Sequence, residues 1–229
     1  LIRDLIAYSN PKSQAAESYR TLRTNIQFST LDNESNVIAI TSCGPGEGKS
    51  TVISNLAITM AQSGKKVLLI DCDLRKPIIH KKFGISNLKG LTSLLIKDSK
   101  VEDVIQRVNI NNLGVITSGP VPPNPSEILG SKNMKNLIEE FKKYFDVILL
   151  DAPPVLVVTD AQVISKVTDG MILLAAYGVT EKQALERAKD NIVKVNGKLL
   201  GVVMNKIPEK EGSYYGYGSY GDYYSDDSE

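Results

Sequence analysis

Residues 37–63 read VIAITSCGPGEGKSTVISNLAITMAQS, and this stretch narrows the possible folds more than any other. Its first five residues, VIAIT, are apolar or β-branched and suit a buried strand. The glycine-spaced turn that follows cannot continue a strand, and Lys49-Ser50-Thr51 leads into a helix expected over Ser50–Ser63. Similar apolar runs recur at Lys66–Asp71, Leu113–Thr117, Asp146–Asp151, Gly170–Ala175 and Leu199–Met204. All read as buried strands, apolar nearly throughout because both faces are covered. Helices are expected near Val101–Arg107, Asn133–Tyr144, Asp160–Lys166 and Lys182–Asn196, with a further amphipathic helix over residues 12–30. Strand–helix alternation predicts an α/β three-layer sandwich around a mainly parallel sheet. The loop Ser118–Pro125 is too rich in proline for either element. No internal repeat and no second domain is read, so residues 1–208 are expected to form one domain.

The turn CGPGEGKST, residues 43–51, has the chemistry of a phosphate-binding P-loop. Gly44, Gly46 and Gly48 let successive backbone N–H groups turn onto phosphate oxygens, with Glu47 among them, and the following helix offers its N-terminus to the same anion. Lys49 is the residue to reach the β- and γ-phosphates, Ser50 supplies a hydroxyl for Mg²⁺, and Thr51 is placed to touch the α-phosphate. The strict pattern asks for glycine where Cys43 stands, a position that tolerates a small residue. Two further strands end in acid: Asp71 closes KVLLID with Asp73 two residues on, and Asp151 closes VILLD ahead of APP. In parallel sheets ligands sit at the carboxyl ends of strands. Three carboxylates are therefore expected around one metal–phosphate site, with Asp71, Asp151 and Ser50 on the metal side. Asp73 is spare for a base. ATP is the expected nucleotide. Asn205, closing the last apolar run, stands where related nucleotide switches read the base, but Pro208 occupies the place an aspartate takes in guanine-specific ones.

The end of the chain has a different composition. From Glu209 onward there is no Val, Ile, Leu, Met or Ala, so residues 209–229 cannot bury enough apolar surface to fold. Six of the ten tyrosines stand there: Tyr214, Tyr215, Tyr217, Tyr220, Tyr223 and Tyr224. No basic residue follows Lys210, which argues against stacking on nucleic acid. The phenols are better read as substrates. A phenol of pKa about 10 keeps its proton at neutral pH, and a carboxylate such as Asp73 can accept it as the bond to phosphorus forms. The net charge of +1 gives no steering toward DNA or lipid. Cys43 and Cys72 stand alone, without a histidine cluster, which suits neither a disulfide framework nor zinc and fits a reducing cytoplasm. No apolar run approaches the ~20 residues of a membrane span and no signal peptide is read. The chain opens on Leu1, so native residues are expected ahead of it. His80 reads as an exposed loop residue, while Arg75 and Lys76, following the acidic pair, read either as help for the phosphates or a partner's docking point or as ordinary surface charge.

GPGEGKST, VLLIDCDLR and VILLDAPP together resemble the P-loop, the extra acidic Walker motif and the Walker B strand of the bacterial tyrosine kinases of capsular and exopolysaccharide synthesis. The resemblance extends through SGPVPPNPSEIL to the tyrosine-rich tail, nearly the whole chain. It implies ATP- and Mg²⁺-dependent autophosphorylation of the tail cluster. It also implies a membrane-embedded activator that draws a cytoplasmic kinase to the inner face of the membrane, with a cognate phosphatase and capsule-synthesis enzymes as substrates. Glu17, Arg20 and Arg23 match the family's E-x-x-R-x-x-R oligomerisation motif, which implies a ring. The competing resemblance is to Min- and Par-type ATPase switches with a docking tail. Those carry a lysine where Gly44 stands here and lack the tyrosine cluster.

Overall fold

A computed structural model of the chain describes residues 2–29 and 37–208. In chain order the helices are α1 (Ile6–Ser9), α2 (Gln14–Ser29), α3 (Lys49–Gln62), α4 (Ile79–Phe83), α5 (Leu91–Leu95), α6 (Val101–Val104), α7 (Pro125–Leu129), α8 (Lys132–Phe141), α9 (Asp160–Ile164) and α10 (Lys182–Lys194). The strands are β1 (Val37–Ser42), β2 (Val67–Asp71), β3 (Gln106–Arg107), β4 (Leu113–Ile116), β5 (Val147–Asp151), β6 (Gly170–Ala176) and β7 (Leu199–Asn205). They form one sheet in the order β3-β4-β2-β5-β1-β6-β7, parallel except for the β3–β4 pair. The expected α/β architecture and its mainly parallel sheet are therefore present.

Alternation along each strand builds two cores. Val37 and Ala39 of β1 face one side with Leu68, Ile70, Ile148 and Leu150, under α5, α8, α9 and α10. Ile38 and Ile40 face the other with Leu69 and Leu149, under α2, α3 and α4. Side chains on a strand point alternately to opposite faces, so an all-apolar strand can serve both layers at once. Helix α3 is buried along most of its length, from Ser50 to Ala61. Its buried residues accordingly run around the helix, with the polar Ser54, Asn55 and Thr59 among them, rather than along a one-sided stripe. Truncating one of its fully buried side chains, such as Leu56, would cost about 2–5 kcal/mol.

Three expectations are corrected. The helix expected over 101–107 stops at Val104, and Gln106–Arg107 turns back as a short antiparallel strand against β4. The last apolar run is not buried: β7 is an edge strand, with Val202 and Met204 each 48% exposed. His80 is half-buried on α4 rather than in an exposed loop, and its Nδ1 is buried without a hydrogen-bond partner. Among the described residues no helix is long and apolar enough to cross a membrane. The tail tyrosines lie outside the described residues.

Candidate active site

The P-loop joins β1 to α3 at the carboxyl end of the sheet. Gly46 and Gly48 adopt left-handed backbone, φ +77° and +103°, which only glycine enters without strain. A Cβ at Gly48 would also stand 2.3 Å from Nδ2 of Asn205. The loop is braced from several directions. Ser42 Oγ donates to the Gly44 carbonyl at 2.8 Å. The buried Glu47 carboxylate accepts from Cys43 N at 3.0 Å and from Thr180 Oγ1 at 2.8 Å. Asn205 Nδ2 donates to the Glu47 carbonyl and Lys206 Nζ to the Gly46 carbonyl, each at 2.8 Å. Glu47 thus stiffens the loop from within. Cys43 is buried beside it, and burial followed by the Glu47 charge pushes its thiol up to about 11. It stays protonated and inert at neutral pH.

Strand pairing assembles the acids. β5 lies between β1 and β2, with Asp151 opposite both Ile40 and Asp71. The two aspartates end adjacent parallel strands, and both are fully buried. Burial, then the charge of Asp151, pushes Asp71 well above the ordinary carboxylate range, with the Ile79 N–H and Lys49 opposing. Its oxygens accept from the backbone N–H groups of Asp73, Ile78 and Ile79, each at 3.1 Å. Asp71 therefore anchors the loop that carries Asp73 and starts α4. Asp73 accepts from Lys49 Nζ at 2.8 Å and from Lys76 N at 3.0 Å.

Neither carboxylate oxygen of Asp151 has a hydrogen-bond partner. Lys49 Nζ lies 3.6 Å from Oδ1. Burial raises the Asp151 pKa, with Lys49 and Ser50 opposing. For Lys49, burial works to lower its pKa, but Asp151, Asp73 and Asp71 outweigh it and hold the ammonium above its ordinary value. A charged lysine among three acids is ready to turn toward an arriving phosphate. A buried carboxylate with an ion pair but no hydrogen bond, beside a serine hydroxyl, is suited to a hard cation.

Sequence reasoning missed some participants. Lys82 of α4 donates to Thr51 Oγ1 at 2.8 Å, adding a cation to the first turn of α3. Thr180 reaches Glu47 across most of the chain. Neither carries a local signal. Arg75 is engaged by α9 instead of standing free for phosphate. Its guanidinium takes Asp160 in a fork, at 2.9 and 3.1 Å, and Ser126 also donates to that carboxylate. Of the proposed oligomerisation residues, Arg20 pairs with Glu17 at 2.6 Å and donates to the Pro11 carbonyl. Arg23 is turned inward and donates to the Thr59 carbonyl of α3 at 2.9 Å.

A strand, a P-loop and a helix on a parallel sheet, with aspartates ending the neighbouring strands, define a P-loop nucleotide-binding domain. A family model described as an AAA domain matches residues 35–198. The chain is 48% identical to the tyrosine-protein kinase YwqD of Bacillus subtilis (strain 168), over 94% of its own length and 91% of that protein's. It is 40% identical to a Staphylococcus aureus protein named CapB, over 94% and 95%. It superposes on the crystal structure of the chimerical protein CapA2B2 with a TM-score of 0.87 at 41% identity, covering 90% of each chain. The chain belongs to the bacterial tyrosine-protein kinases. The septum site-determining protein MinD of Pyrococcus horikoshii OT3, in complex with Mg-ADP, gives a TM-score of 0.62 at 24% identity over 78% of this chain and 76% of that one, a likeness of fold. The kinase resemblance read from the motifs is borne out, and the Min/Par alternative is not favoured.

Proposed function

We propose that this chain transfers the γ-phosphoryl group of ATP to tyrosine hydroxyls, those of its own C-terminal cluster among them. The observation that carries the reading is the arrangement of Lys49 between Asp73 and Asp151 at the mouth of the P-loop. The Gly44–Thr51 backbone and Lys49 would bind the phosphates. Ser50 and Asp151 would hold Mg²⁺, with Asp71 behind them, and the cation would neutralise charge gathering on the β- and γ-oxygens. Among the described residues no group of three or more His, Cys, Asp or Glu forms a metal site by itself. That fits a cation completing its shell with phosphate and water. When Lys49 swings to the phosphate, Asp73 Oδ2 is released. The phenol oxygen then attacks phosphorus, the bond to the β-phosphate oxygen breaks, and Asp73 takes the phenolic proton.

β7 runs parallel to β6 and β6 to β1, so the chain leaves the sheet on the P-loop edge. Six residues beyond Pro208, Tyr214 can reach at most about 20–22 Å, and Tyr223 about 50 Å. Those spans permit attack in a neighbouring subunit. We read residues 1–208 as the kinase domain and 209–229 as its substrate tail. A ring would be built through Glu17 and Arg20, while Arg23 fixes α2 on α3. Phosphate on six tyrosines would add roughly −9 to −12 charges and loosen that ring by repulsion. The same reading places the protein in the cytoplasm, recruited to the membrane by an activator in capsule or exopolysaccharide synthesis, with no nucleic-acid partner.

The test mixes two proteins with γ-labelled ATP and Mg²⁺. One is Lys49→Met with its tail, the other an active chain ending at Pro208. Label should appear on tyrosine of the inactive chain. Free phosphate alone would mark an ATPase. Self-labelling by wild type at a concentration-independent rate, with no label on the mixed inactive chain, would confine transfer to one molecule.

A further inference from the structure

Asn205 occupies the place expected to read a nucleotide base, yet its side chain and that of the next residue, Lys206, are committed to the P-loop backbone. Asn205 meets the Glu47 carbonyl, and only the amide nitrogen can meet a carbonyl oxygen, so Nδ2 is the donor. Lys206 meets the next carbonyl back, that of Gly46. Lys206 holds φ +61°, a left-handed conformation unfavourable for lysine, and this strain falls on a residue gripping the loop. Together with Ser42 on the Gly44 carbonyl, three of the loop's carbonyls are held by side chains.

Peptide planarity gives these contacts a consequence. Among the described residues all peptide bonds are trans. In a planar trans peptide the N–H points opposite to the carbonyl before it. Fixing the Gly46 and Glu47 carbonyls therefore fixes the directions of the Glu47 and Gly48 N–H groups, the donors a phosphate would meet. We propose that Asn205 and Lys206 are positioning residues that preset the phosphate-binding loop before nucleotide arrives, rather than contacts to the base. This rests on the reading of the loop as an ATP site.

The experiment measures binding of Mg-ATP and of tripolyphosphate, which has no base, by competition against fluorescent ADP. Asn205→Ala should weaken both ligands by the same factor, about fivefold. Lys206→Met should weaken both about threefold at low and high salt alike, and Lys206→Arg, which keeps a donor, should restore both. The nucleotide-free Lys206 variants should melt with wild type, because the side chain is on the surface. A loss for ATP with tripolyphosphate unchanged would make Asn205 a base contact and overturn the proposal, as would unchanged binding of both. If Asn205→Ala fails to fold, the exposed Lys206 pair carries the same comparison. Wild type that binds neither ligand would remove the ATP-site reading itself, a result distinct from failure of the clasp.

Discussion

Asp151 and Asp160 flank one short loop and are both fully buried, but they have opposite surroundings. Asp160, at the start of α9, takes both arms of the Arg75 fork and the Ser126 hydroxyl. Its charge is matched, and the pairing ties the loop after Asp73 to α7 and α9. Asp151, at the end of β5, has a lysine 3.6 Å away, no hydrogen bond, and another buried aspartate beside it. A buried charge that is satisfied within the chain holds structure together. One left unsatisfied is a cost to the fold that a ligand can offset.

The contrast is broken most forcefully at Asp151. Asp151→Asn should lower tyrosine labelling by about a hundredfold or more, yet stabilise the nucleotide-free protein by about 1–2 kcal/mol. Calorimetry without nucleotide decides it, since a variant melting below wild type would place Asp151 in the same class as Asp160. Asp160→Ala should do the reverse, costing about 2–3 kcal/mol in a urea titration. That is less than for a pair buried on both sides, because the freed Arg75 is half-exposed and can be hydrated. A loss under about 0.5 kcal/mol, the range of ordinary surface changes, would mean that the pairing holds nothing. The smallest effect belongs to Arg75→Lys, under about 1 kcal/mol, since an ammonium keeps the charge but cannot reproduce the fork. Stability indistinguishable from wild type would show that charge, not fork geometry, makes the contact.

The sequence carried what is local and lost what is distant. Apolar runs marked every strand of the parallel sheet, and the glycine pattern with Lys49 and Ser50 marked the P-loop, because strand, turn and helix are contiguous there. Strand-ending acids brought out Asp71, Asp73 and Asp151. Their unequal roles were hidden, since the backbone groups that occupy Asp71 depend on how the loop to Ile79 folds. β3 has two residues and no periodicity to read. Short helices such as α4 and α5 complete too few turns to show a stripe. β7 looked buried because composition alone does not distinguish a central strand from an edge. Glu47–Thr180 and Arg75–Asp160 join residues far apart in the chain, and side chains that meet only after the sheet has formed leave no mark on their own neighbourhoods.

The central position of β1 has a consequence for synthesis. Its six buried residues are made well before its hydrogen-bonding neighbours β5 and β6, which begin only at Val147 and Gly170. At ordinary translation rates the hundred or so residues between β1 and β5 take roughly 5–20 s to emerge. Throughout that interval an apolar strand has both edges open, a state prone to pairing with other chains. The phosphate loop waits longer still, because two of the three side chains holding its carbonyls, those of Asn205 and Lys206, arrive only as β7 ends. A ribosome-bound chain thus carries the glycine sequence of a nucleotide site well before it carries the shape of one.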